Sequence, residues 1–268
     1  MRMKPLAILR SGKSFHKINS NRTAVLVVLL FSQLNVLAQK NVTHQQQIWY
    51  GYYNSLTFNE NWCLKSEIQE RQFINPSAQH QLLFRTDLEY KLEGNWNVFV
   101  GGAFFLQSPN DPDSDSNLVV PELRPNIGFN NKQKLSFLTI SHRYKAEARF
   151  FHDVENEELT GGYRFSNFRL RYQLGFDIPV VKKENQERVI FKLKDEVMFN
   201  VGSKIVKNSF DQNRVYLALN YVVSPVIAVE AGYMNWFQQQ KSGVDYYNRD
   251  IIRFSLFHNL TLKKKNHE

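Results

Sequence analysis

One pattern recurs from about residue 47 to residue 260 and limits what this chain can become. Apolar and polar residues alternate with a period of two, segment after segment. In "ELRPNIGF", Leu123, Ile127 and Phe129 oppose Glu122, Arg124 and Asn126. In "SHRYKAEARF", Tyr144, Ala146, Ala148 and Phe150 oppose Arg143, Lys145, Glu147 and Arg149. The second segment is rich in strong helix formers. Its spacing nevertheless puts every charge on one face only if it is a strand. The same alternation sets Leu170, Tyr172 and Leu174 against Arg169 and Arg171. It sets Val197 and Phe199 against Glu196, Leu217 and Leu219 against Arg214 and Tyr216, and Val229 and Ala231 against Glu230. Asp195 falls on an apolar face and departs from the rule.

About eleven such segments follow one another, several of them 11 to 16 residues long by this reading. Short turns at "FNEN", "EGN", "NNKQ", "VKKENQE" and "SP" alternate with longer polar connections. The latter are "INPSA", "SPNDPDSDSN", "HDVENEEL", "GSKIVKNS" and "QQKSGVD". That is the pattern of an up-and-down meander. A sheet of this size left open would carry two long unpaired edges, so closure is expected. The fold class read here is all-β: an antiparallel, up-and-down transmembrane β-barrel of about 10–12 strands. Bacterial barrels usually close with an even number. The odd count therefore leaves two options, an early strand within "QKNVTHQQ" or one strand misassigned.

The first 38 residues are of a different kind. Arg2, Lys4, Arg10, Lys13, Lys17 and Arg22 precede "AVLVVLLFSQL", and "VLA" ends at Ala38. A basic stretch, a short apolar run and a small residue describe an export signal peptide, residues 1–38, followed by one barrel domain, 39–268. The alternatives for this stretch are a membrane anchor and a buried helix. The formal charge of +9 falls to about +3 once those six basic residues are set aside, so the basic balance is no sign of nucleic-acid binding. The one cysteine, Cys63, excludes an internal disulfide and a cysteine metal cluster.

Alternation alone also fits a water-soluble β-barrel that binds an apolar ligand inside. Export, strand length and tryptophan placement favour the membrane. Trp49, Trp62, Trp96 and Trp236 lie near strand ends in this reading, where an aromatic girdle meets the lipid boundary. With lipid outside, the polar faces line the lumen. The expected lumen-lining set is Glu122, Arg124, Arg143, Glu147, Arg149, Arg169, Arg171, Glu196, Arg214 and Glu230. Such a set either selects a small solute or forms ion pairs that fill and stiffen a narrow barrel. The size of a 10–12-stranded lumen favours the second.

"TISHRYKAEARF", "YRFSNFRLRYQLGFDIP", "KDEVMFN" and "FDQNRVYLALNYVVSPVIAVEAGYMNWFQ" occur in that order. Together they resemble the family of unknown function number 2490, over roughly residues 45–260. The resemblance implies a bacterial outer-membrane β-barrel, with no established substrate or reaction. A porin-like barrel in the outer membrane of a Gram-negative bacterium is the localisation expected. The partners expected are outer-membrane lipid and a small solute in the lumen, with no nucleic acid, no cofactor and no metal.

Ser141 and His142 raise an enzyme alternative, a membrane-embedded lipid-modifying hydrolase, since some outer-membrane barrels hydrolyse lipids. Adjacent strand residues point to opposite faces, so this pair cannot share a proton directly. His80, His152 and His258 are scattered, and "NDPDSDS" lacks the Gly and distal Glu of an EF-hand loop. No catalytic residues are expected.

Overall fold

The computed structural model describes residues 41–262 except 185, 203, 204 and 206–208. The expected leader lies outside the described residues. Each alternating segment forms a strand: β1 (Val42–Thr57), β2 (Trp62–Phe73), β3 (Ala78–Lys91), β4 (Trp96–Gln107), β5 (Val120–Lys134), β6 (Thr139–Glu155), β7 (Glu158–Lys183), β8 (Gln186–Val201), β9 (Phe210–Val222), β10 (Ile227–Gln239) and β11 (Tyr246–Thr261). Each pairs with its sequence neighbours, and β11 closes on β1, giving a closed barrel of eleven strands.

Every sequential pair is antiparallel, while β1 and β11 are parallel, in register from Val42↔Tyr246 to Thr57↔Thr261. This follows from counting. In an up-and-down meander an odd last strand runs in the direction of the first, so the closing seam must be parallel. The early stretch "VTHQQQ" is the first part of β1 rather than a strand of its own.

One end of the barrel carries the short links β1–β2, β3–β4, β5–β6, β7–β8 and β9–β10. The other carries the β4–β5, β8–β9 and β10–β11 loops. One expected loop is absent. "HDVENEEL" continues β6 and β7 as a hairpin, with Asn156 and Glu157 as its turn at φ 51° and 62°. Two successive left-handed residues suit the twist of flanking strands. The β5 and β8 partners stop at Phe151 and Phe168, so this hairpin extends past its neighbours.

Polarity is inverted relative to a soluble barrel. β5 shows it most plainly: Glu122, Arg124, Asn126 and Gly128 are buried, and Leu123, Ile127 and Phe129 are exposed. Exposed large apolar residues occur on all eleven strands, among them Tyr50, Ile68, Phe84, Val100, Tyr144, Phe168, Phe199, Leu219, Val229 and Phe254. Inward positions instead hold Arg, Lys, Glu, Asp, Gln and Asn, with a few apolar groups between them. Asp195 does face outward, where it accepts a hydrogen bond from Asn213 Nδ2 at 2.6 Å.

Candidate functional site

The lumen is built by strand parity, since alternate residues of a strand share a face. Inward residues of β5, β6, β7 and β8 thus meet across strand boundaries. Arg171 Nη1 donates to Glu147 Oε1 at 2.8 Å, and its Nη2 and Nε reach Glu196 at 2.8–3.0 Å. One guanidinium therefore bridges two buried carboxylates on the two flanking strands. The planar fork of arginine fits such double recognition.

Towards the long-loop end, Glu122 is fully buried. It accepts from Arg124 at 2.6 Å, from Arg149 at 2.5 Å and from Gln107. Arg169 pairs with Asp211 at 2.9 Å. Towards the short-turn end, Glu230 accepts from Lys192 at 2.9 Å and Tyr216 at 2.7 Å. Arg85 pairs with Glu67 at 2.5 Å and Lys145 with Asp87 at 3.3 Å. Arg143 approaches Asp87 only to 4.0 Å. Of the expected lumen set, nine residues thus meet a partner of opposite charge inside the barrel. Arg214 does not: its Nη2 donates to Gln212 at 3.2 Å, and its guanidinium lies 4.4 Å from the Trp236 ring.

The tryptophans divide into two pairs. Trp62 and Trp96, the first residues of β2 and β4, are 39% and 38% exposed at the short-turn end. Trp62 packs at a tilt against Tyr90, and Trp96 stacks on Tyr144. Trp49 and Trp236 are only 2% exposed and sit edge-to-face inside the lumen, 5.6 Å apart. Their assignment to the girdle is corrected. β1 begins five residues before Gln47, which puts Trp49 in mid-strand. Trp236 shares the parity of Glu230. Each carries an arginine on its face, Arg71 at 3.8 Å over Trp49 and Arg249 at 4.5 Å over Trp236.

Among the described residues, cavities lie at both ends of the lumen. One of 580 Å³ lies at the long-loop end, and one of 380 Å³ at the short-turn end. Both are bordered by Arg71 and Arg214, which therefore stand at the waist between them. Both are lined largely by polar and charged side chains. The β4–β5 loop reaches into the long-loop mouth through Asn110. Its Oδ1 lies 3.2 Å from both His80 Nε2 and Arg249 Nη2. On the outer wall, His142 Nδ1 lies 2.9 Å from Tyr172 Oη, whereas Ser141 Oγ donates to the Gly175 carbonyl at 3.4 Å. The two side chains thus engage different partners.

A family model described as "Protein of unknown function (DUF2490)" matches residues 46–248. The chain belongs to that family. The matched span runs from β1 into β11, so the DUF2490 signature covers nearly the whole barrel. No curated protein matches the chain. A solved structure titled "NanC porin structure in rhombohedral crystal form" is similar at 12% identity and a TM-score of 0.46. The match covers 80% of this chain and 99% of that one.

Sequence reasoning passed over Arg249, His80 and Arg71 as site residues. Arg249 is fully buried, near the start of β11. Its signal was available in parity: Arg249, Ile251, Arg253 and Ser255 share one face. His80 carried no such signal, because it is the residue skipped in the β2–β3 register between Gln79 and Gln81 and is buried beside Gln81 against the alternation.

Proposed function

We propose that the protein is an integral outer-membrane β-barrel whose narrowed polar lumen holds or passes small hydrophilic solutes. The observation that carries this reading is the inverted polarity: charged groups are buried inside a closed sheet while large apolar side chains cover its outer face. A water-soluble barrel would expose that face only at a large hydrophobic cost. In a bilayer the same face is solvated by acyl chains. The closed ladder leaves no sheet edge in lipid. Trp62, Trp96 and their tyrosine neighbours then meet the lipid boundary at the short-turn end. Residues 1–38, read as an export leader, supply the route. Lipid is the partner this proposal requires, and no catalytic role is assigned.

The lumen is too occupied for a general pore. The Glu147–Arg171–Glu196 bridge fills the inner wall of β6–β8, and Arg71 and Arg214 border both cavities, which restricts the solute to small molecules. The test is fractionation of cells expressing the protein, followed by gel electrophoresis with and without boiling. The proposal expects recovery in the outer-membrane fraction and faster migration of the unboiled form. A protein that stays in the soluble fraction and migrates identically in both lanes would refute it.

A further inference from the structure

Ion pairing accounts for most buried charge in this lumen but leaves a remainder at one place. The 580 Å³ cavity at the long-loop end is bordered by five arginines and by one carboxylate, Asp211. Three of those arginines are matched: Arg124 and Arg149 by Glu122, and Arg169 by Asp211. Arg71 and Arg214 are not. Among the described residues neither forms an ion pair. Arg71 is 4% exposed and donates only to the amide oxygens of Gln69 and Gln81. Arg214 donates from Nη2 to Gln212, and its Nε is buried with no acceptor. Arg249, fully buried beneath Trp236, likewise meets only amide oxygens, those of Gln45, Gln238 and Asn110.

An uncompensated charge taken out of water is costly, and an approaching counter-charge recovers much of that cost. Two guanidinium groups without an ion-pair partner, Arg71 and Arg214, therefore border one cavity, with a third, Arg249, close by through Asn110, and give it an excess of positive charge suited to an anion. The two cations are also fixed in place. Arg71 lies 3.8 Å over the Trp49 ring and Arg214 4.4 Å over that of Trp236. Each guanidinium is held against an aromatic ring, a contact that favours the cation and fixes where its charge sits. Gln81, Gln107 and Asn200 on the same wall provide donors and acceptors for hydroxyl groups.

We infer that this cavity is an anion-binding site for a small hydrophilic solute bearing an oxyanion group, carboxylate or phosphate. Arg71 and Arg214 are its charge partners. The inference deepens the proposed function by naming the solute class, and it rests on that reading only for the route by which solute enters.

The test uses the full barrel in detergent micelles, with Trp62→Phe and Trp96→Phe leaving Trp49 and Trp236 as the indole reporters. Fluorescence is titrated at constant ionic strength with inorganic phosphate, with acetate and with glycerol. The expected result is a saturable change with at least one oxyanion and none with glycerol. The larger response tells phosphate from carboxylate recognition. Arg214→Gln raises the apparent Kd roughly tenfold or more, equivalent to about 1.4 kcal/mol. Lys182→Gln, on the exposed end of β7, leaves it unchanged. Arg71→Gln serves as the second variant if Arg214→Gln does not fold. A barrel with folded-form gel mobility that shows no saturable response to either oxyanion overturns the site and leaves the membrane reading standing. Equal weakening by Lys182→Gln also overturns it. Saturable oxyanion binding by a chain that is soluble without detergent would keep the site and overturn the membrane reading.

Discussion

Arg171 shows what a single residue does in this lumen. It holds Glu147 and Glu196 together, and both carboxylates are nearly inaccessible to solvent. Removing the guanidinium leaves two buried negative charges without their shared partner. Arg171→Leu is therefore expected to destabilise the folded barrel by about 3–5 kcal/mol, measured as the shift of a urea unfolding curve in micelles. A shift no larger than that of an exposed substitution such as Lys182→Gln would show that the bridge is not a structural element. The pairing of opposite charges on neighbouring strands was legible in the sequence, because parity alone puts Arg171 and Glu196 on one face. The inward position of Trp236 was legible too, through its shared parity with Glu230, but that of Trp49 was not, since it depends on where β1 begins. Lipids with brominated acyl chains test that correction directly. They are expected to quench Trp62 and Trp96 strongly and to leave a Trp62→Phe, Trp96→Phe variant nearly unquenched; strong quenching of that variant would return Trp49 or Trp236 to the outer wall.

At the scale of elements, two features decide whether the sheet closes. The first is the parallel seam. Tyr50 and Phe254 are register partners across β1 and β11, and their rings stack at 6.2 Å. In a Cys63→Ser background, Tyr50→Cys combined with Phe254→Cys is expected to form a disulfide under mild oxidation, visible as altered mobility in a non-reducing gel. Failure to cross-link in a folded barrel would argue for another closure. The second feature is space. A Cβ on Gly128 would lie 2.2 Å from the Tyr144 carbonyl oxygen and 2.4 Å from the Phe99 ring, which covers this inward glycine. Gly128→Ala must displace backbone as well as the ring, so loss of the heat-modifiable form is expected. The strand order could be read from the alternation, and so could the approximate count. The β6–β7 hairpin could not. Its polar run "HDVENEEL" resembles a loop in composition, while its two-residue turn relies on left-handed backbone at Asn156 and Glu157, which the sequence marks only weakly.

The barrel as a whole encloses a polar lumen. Arg71 and Arg214 border both cavities, and the carboxylate bridge of Arg171 lies beside them. In planar bilayers the barrel is expected to give small, anion-selective currents, because unmatched cations border the waist. Cation-selective or large ohmic currents would contradict this arrangement. All of these expectations depend on one claim, that the charged faces look inward and the apolar faces meet lipid. A spin-label scan of single cysteines along β5, from Leu123 to Phe129, in reconstituted bilayers tests it most directly. The expected result is a period of two: labels at 123, 127 and 129 accessible to lipid-dissolved oxygen, and labels at 124 and 126 shielded from it. Oxygen accessibility without that alternation, or with its phase reversed, would contradict the inverted barrel.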